Sequence, residues 1–89
     1  AEHETWVEGK KVDLAPTEYD LLLVLYRRPN QLCSRQDISQ ELYNLAYGLE
    51  TEDAINTTMT RLRRKIEAVS PPGKYLITIR GRGYRLKLE

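Results

Sequence analysis

Thr51-Glu52-Asp53-Ala54-Ile55-Asn56-Thr57-Thr58-Met59-Thr60-Arg61-Leu62-Arg63-Arg64-Lys65-Ile66-Glu67-Ala68-Val69 is the stretch that decides the fold of this 89-residue chain. Ile55, Met59, Leu62, Ile66 and Val69 follow one another at steps of 4, 3, 4 and 3. At about 100° per residue they form one stripe of a helix. The opposite side carries Asp53, Thr57, Thr60 and Arg64, flanked by Asn56, Arg61 and Glu67, with Arg63 nearer the edge of the stripe. Thr51 is the expected N-cap, followed by two acids where the helix dipole favours negative charge. Ser70-Pro71-Pro72-Gly73 ends the segment.

Downstream, Tyr75–Ile79 and Tyr84–Leu88 are β-rich runs joined by Arg80-Gly81-Arg82-Gly83. The second run alternates, with Tyr84, Leu86 and Leu88 on one side and Arg85 and Lys87 on the other, as a half-buried strand requires. Upstream, Ser34-Arg35-Gln36-Asp37 reads as a variant capping box that opens a second helix with Ile38, Leu42 and Tyr43 inward. Ala15-Pro16-Thr17-Glu18 opens a first helix, because proline suits the first helical position. Its five consecutive apolar residues, Leu21 to Leu25, predict burial around most of its circumference. Arg27 and Arg28 suit its negative end, and Pro29-Asn30 stops it. Trp6 to Leu14 reads as a hairpin turning at Gly9. Asn44–Glu50 is a loop unusually rich in apolar residues. Three helices followed by a β-hairpin outline a winged helix-turn-helix. The expected class is α+β, with a small N-terminal antiparallel sheet, three helices and a C-terminal β-hairpin wing. Residues 1–89 form a single domain, folded from about 6 to 88, with 1–4 a frayed terminus.

Composition narrows the function. No apolar run approaches the roughly 18–20 residues that span a bilayer. One cysteine, Cys33, excludes an internal disulfide and points to a reducing compartment; it is expected to be a small core residue. One histidine, His3, and scattered carboxylates give no metal-ligand spacing. No nucleophile–base pair is evident, so the chain is not read as an enzyme and no cofactor is expected. The net charge of +1 conceals an asymmetry. Residues 1–50 carry nine acids against five bases, whereas residues 61–89 carry nine bases against two acids. Such a division suits a polyanion on one face.

On that face Asn56, Thr57, Thr60, Arg61 and Arg64 project from a helix of the width that a DNA major groove admits. Arginine pairs with guanine O6 and N7, asparagine with adenine N6 and N7, and threonine offers a hydroxyl or meets a thymine methyl. Arg63, Arg64 and Lys65 are expected on phosphates. Arg80 or Arg82 at the hairpin tip suits an adjacent minor groove. The Tyr84 hydroxyl has two readings, packing or a phosphate contact.

Leu14-Ala15-Pro16-Thr17-Glu18-Tyr19-Asp20-Leu21-Leu22, Ser34–Ile38, Arg61–Ile66 and Thr78–Leu86 together resemble the OmpR/PhoB-type winged-helix DNA-binding domain of response regulators. The resemblance covers about Trp6 to Leu88. It implies a four-stranded N-terminal sheet and a short strand near Leu32-Cys33 that joins the C-terminal hairpin. It also implies a cytoplasmic transcriptional regulator that binds double-stranded promoter DNA at direct repeats as a head-to-tail pair. The isolated domain is then expected to be monomeric, and a receiver domain to precede it. Leu45, Tyr47 and Leu49 fall where family members can contact RNA polymerase, and packing against the second helix is the other reading of these side chains. The chain departs from the family pattern at several points. Ala15 replaces the usual threonine cap, Tyr43 a common tryptophan, Asn56-Thr57-Thr58-Met59 the more usual Asp-Val-His-Ile, and Asp53 a frequent arginine. The acids Glu52 and Asp53 support an alternative, a protein-interaction module on the same scaffold, since fold does not dictate function.

Overall fold

The computed structural model describes residues 4–43 and 49–88. The chain runs β1 (Thr5–Val7), β2 (Lys10–Val12), α1 (Pro16–Tyr26), β3 (Leu32–Ser34), α2 (Arg35–Tyr43), α3 (Leu49–Glu67), β4 (Leu76–Ile79) and β5 (Gly83–Leu86). β1 and β2 pair antiparallel about Trp6↔Lys11. Their two-residue turn has positive φ at both Glu8 and Gly9, the mirror-image turn whose twist matches that of the flanking strands. The second sheet has the order β3-β5-β4, so the short strand at Leu32–Ser34 does join the C-terminal hairpin. The implied four-stranded N-terminal sheet is corrected: among the described residues it has two strands.

The predicted stripe forms the centre of the core. Ile55, Met59, Leu62 and Ile66 are buried against Leu21, Val24 and Leu25 of α1, Ile38 of α2, and Cys33, Leu76, Tyr84 and Leu86 of the sheet. Boundaries moved where packing outweighed local signals. α3 begins at Leu49, so Thr51 lies inside the helix and is not its cap. Thr51 is buried one turn before Ile55, extending the inward-facing stripe upstream. α1 ends at Tyr26, and Arg28 leaves the helix end to form ion pairs with Glu41 and Asp37 of α2. Leu22 and Leu23 remain half-buried and Tyr26 is exposed, so burial of α1 is less complete than its apolar run predicts. β5 stops at Leu86, two residues early. Asn30, at φ +64°, donates its N–H to the Leu86 carbonyl and accepts the Leu88 N–H on Oδ1, each at 2.8 Å, while the Lys87 N–H still reaches the Tyr75 carbonyl on the β4 side.

Glu18 joins two of the helices. Its Oε1 accepts the Ala15 N–H at 3.0 Å, capping α1, and the Lys65 ammonium of α3 at 2.7 Å. Alanine has no side-chain acceptor, so the reciprocal capping bond is missing and Glu18 supplies the only half present. Burial pushes the Glu18 carboxyl up, but the hydrogen bonds from Lys65 and from the Ala15 N–H outweigh it and hold the group below its ordinary 4.5. A folded-state pKa below the unfolded one means stability that is fully present above pH 4.5 and lost as pH falls through the folded value. Glu18→Gln is expected to cost about 1–3 kcal/mol at neutral pH, below the range for fully buried pairs because Lys65 is half exposed. Thermal unfolding of both proteins between pH 7 and 3 checks this. The wild type should lose more stability in the acid range than the variant.

Candidate nucleic-acid interface

The outer side of α3 follows from its own periodicity. With Ile55, Met59, Leu62 and Ile66 inward, the residues Thr57, Thr60, Arg61 and Arg64 are exposed and Asn56 is half-buried. These five line a shallow concavity of about 300 Å³. Thr60 Oγ1 donates to the Asn56 carbonyl at 2.8 Å. The turn between β4 and β5 is closed by the Arg82 N–H on the Ile79 carbonyl at 2.9 Å, with Gly81 at φ +78°. Arg80 and Arg82 are exposed on it. Among the described residues no carboxylate pairs with Arg61, Arg64, Arg80 or Arg82. Their positive charge is therefore available to an external anion.

Two polar links lock this hairpin to α3. Arg63 Nη2 donates to Thr78 Oγ1 of β4. The Tyr84 hydroxyl of β5 donates to Asn56 Oδ1 at 2.9 Å and accepts from Arg35 Nη2 at 3.4 Å, and the Arg35 guanidinium lies 5.0 Å from the Tyr84 ring centroid. Asn56 and Arg63 are seven residues apart, so the links are about 10 Å from each other along the helix axis. The strands that carry the hairpin tip are thus tied to α3 at two points.

The predicted residues fall into three groups. Asn56, Thr57, Thr60, Arg61 and Arg64 share the concavity, and Arg80 and Arg82 share the tip. Arg63 and Lys65 instead turn back on the protein, toward Thr78 and Glu18. The sequence reading puts Lys65 on a phosphate; in the structure its ammonium is held by the buried Glu18 carboxylate, while the lysine side chain stays half-exposed. Tyr84 is only 5% exposed and its hydroxyl is doubly bonded within the protein, which answers its two readings in favour of packing. Leu45, Tyr47 and the side chain of Leu49 lie outside the described residues, as do His3 and most of the predicted frayed terminus. Arg35 and Thr78 are partners of the predicted residues that sequence reasoning misses. Arg35 reaches a residue 49 positions away, and no local pattern encodes that. The one available signal is the inward register of Tyr84, because a buried phenol must find a partner for its hydroxyl.

A second cavity, of about 340 Å³, lies between β1 and α1 and shares no residue with the arginine face. Its lining includes Trp6, Leu22, Tyr26 and Leu88. Among the described residues no group of His, Cys, Asp and Glu is placed to hold a metal ion, and no helix is long and apolar enough to cross a membrane.

Comparison with known proteins agrees with this geometry. Residues 9–86 match the family model for "Transcriptional regulatory protein, C terminal". The chain is 30% identical over 83 residues to the DNA-binding response regulator MtrA of Mycolicibacterium smegmatis, covering 93% of this chain and 36% of that protein. It thus spans about a third of the length of the curated relatives it matches. The DNA-binding domain of CpxR from E. coli superposes with a TM-score of 0.77 at 30% identity, over 96% of this chain and 82% of that one. The Klebsiella pneumoniae RstA DNA-binding domain, in complex with the RstA box, is similar in fold. Its TM-score is 0.81 at 21% identity, over 94% and 82% of the two chains. With the match running from the turn of the first hairpin to the last residue of β5, the chain belongs to the family of C-terminal domains of transcriptional regulatory proteins, of the OmpR/PhoB type.

Proposed function

We propose that this chain is one domain that binds double-stranded DNA in a sequence-dependent manner, as the effector part of a two-component response regulator. α3 enters the major groove through Asn56, Thr57, Thr60, Arg61 and Arg64, and Arg80 and Arg82 approach the adjacent minor groove. The observation that carries this reading is the concavity on α3, two of whose five lining residues are arginines that no carboxylate pairs among the described residues. It lies on a helix locked to a second basic element. The RstA domain was crystallised in complex with the RstA box, and MtrA is a DNA-binding response regulator, which supports the same chemistry here. By the same family reasoning, a receiver domain precedes the chain in a cytoplasmic regulator. Two copies occupy promoter direct repeats, and the segment around Leu45, Tyr47 and Leu49 meets RNA polymerase. A single module of this kind buries about 600–1,000 Å² on DNA, so the isolated domain is a weak binder until a second copy sits beside it.

The test is a titration of the chain against a pool of random duplexes across a salt series. Binding is expected at low salt, with log affinity falling against log salt by about 0.9 per phosphate neutralised. Absence of binding at the lowest salt would overturn the proposal and favour the protein-interaction alternative.

A further inference from the structure

Asn56 is held from behind, and the holding has a direction. Arg35 Nη2 can only donate, so the Tyr84 oxygen accepts from it and the phenolic proton goes to Asn56 Oδ1. The reversed amide would leave the proton of a buried phenol without an acceptor. The relay therefore keeps Oδ1 inward. Nδ2, with two donors, is left without a partner among the described residues, on a side chain that lines the concavity. Of its neighbours, Arg61 and Arg64 carry donors only, whereas Thr60, having given its hydroxyl proton to the Asn56 carbonyl, presents an acceptor.

Resting on the DNA-binding reading above, we infer that Asn56 reads a base as a donor alone, against an edge made of acceptors such as guanine O6 and N7, and that Tyr84 and Arg35 are positioning residues that set this preference. The bidentate asparagine–adenine pair expected from the sequence needs Oδ1 and Nδ2 presented to the base together, and Oδ1 is turned to the buried Tyr84 hydroxyl. Specificity at this base pair is thus decided by a residue that does not itself reach the DNA.

The test compares the 89-residue chain with Tyr84→Phe and Asn56→Asp by selecting and sequencing bound duplexes from a fully randomised pool. Thermal unfolding of each protein monitors the fold. Tyr84→Phe keeps the ring and frees Oδ1. It is expected to lose the guanine-over-adenine preference at one position by roughly tenfold, with non-specific binding unchanged. Asn56→Asp keeps the size and the bond from Tyr84 but has no donor, and should lose the guanine preference at that same position. If Tyr84→Phe does not fold, the aspartate variant decides alone. A guanine preference retained in either folded variant, or adenine in the wild type at the position that Asn56→Asp alters, would overturn the inference and leave DNA binding standing. Failure of the wild type to bind any duplex would instead overturn the proposed function, and this inference with it.

Discussion

Gly83→Ala should destabilise this domain by about 3–5 kcal/mol, a large part of the roughly 5–15 kcal/mol that holds a small domain folded. Gly83 opens β5 and pairs with Ser34 on one side and Ile79 on the other. Its φ of +152° is rare for L side chains, and an added Cβ would stand 2.1 Å from the Cys33 carbonyl oxygen and 2.9 Å from the Ser34 Cα. Both obstacles are backbone, so no rotamer change relieves them. β3 would have to move, and with it the Ser34 hydroxyl that caps α2 by accepting the Asp37 N–H at 3.0 Å. Gly81→Ala is the matched control. Gly81 also has a positive φ, +78°, but nothing lies within 4 Å of an added Cβ, so only backbone strain of about 1–2 kcal/mol is expected. Urea unfolding of the three proteins separates the two costs. Equal losses for both variants would show that strand proximity at Gly83 is not the cause.

The second large effect is on binding. Arg61→Ala/Arg64→Ala is expected to weaken binding by about 2–6 kcal/mol, roughly thirtyfold or more, taking each arginine at about 1–3 kcal/mol. Both side chains are exposed, so stability should change by no more than about 0.5 kcal/mol. Lys10→Ala/Lys11→Ala removes the same net charge from β2, at the other end of the chain. That variant is expected to retain most of the affinity. Titration of all three proteins on one duplex at one salt concentration checks the pair. Equal losses would mean that binding follows net charge and not the α3 face.

Much of this is legible without coordinates, for a specific reason. The 4-3-4-3 spacing of apolar residues in α3 dictates which side is buried, and thereby which side carries Thr57, Thr60, Arg61 and Arg64. Helix starts with a local chemical signature, such as Ser34 before α2 and Pro16 in α1, are legible as well. The start of α3 is not. Thr51 carries the signature of a cap, yet tertiary burial extends the helix past it to Leu49. Lys65 and Arg63 escape a reading of the sequence because helical spacing gives a direction around the axis but not what a neighbouring element places there.

The sequence by itself determined the order of the two hairpins and three helices, the buried stripe of α3 and the basic character of its outer side and of the β4–β5 turn. All of these depend on residues within a few positions of one another, which share one helix turn or one strand pair. Only the tertiary structure decided which cations stay free, that Glu18 binds Lys65 47 residues away, and that Arg35 and Tyr84 orient Asn56. A hydrogen bond forms where chain packing brings donor and acceptor within about 3 Å, and no periodicity along the chain records that distance.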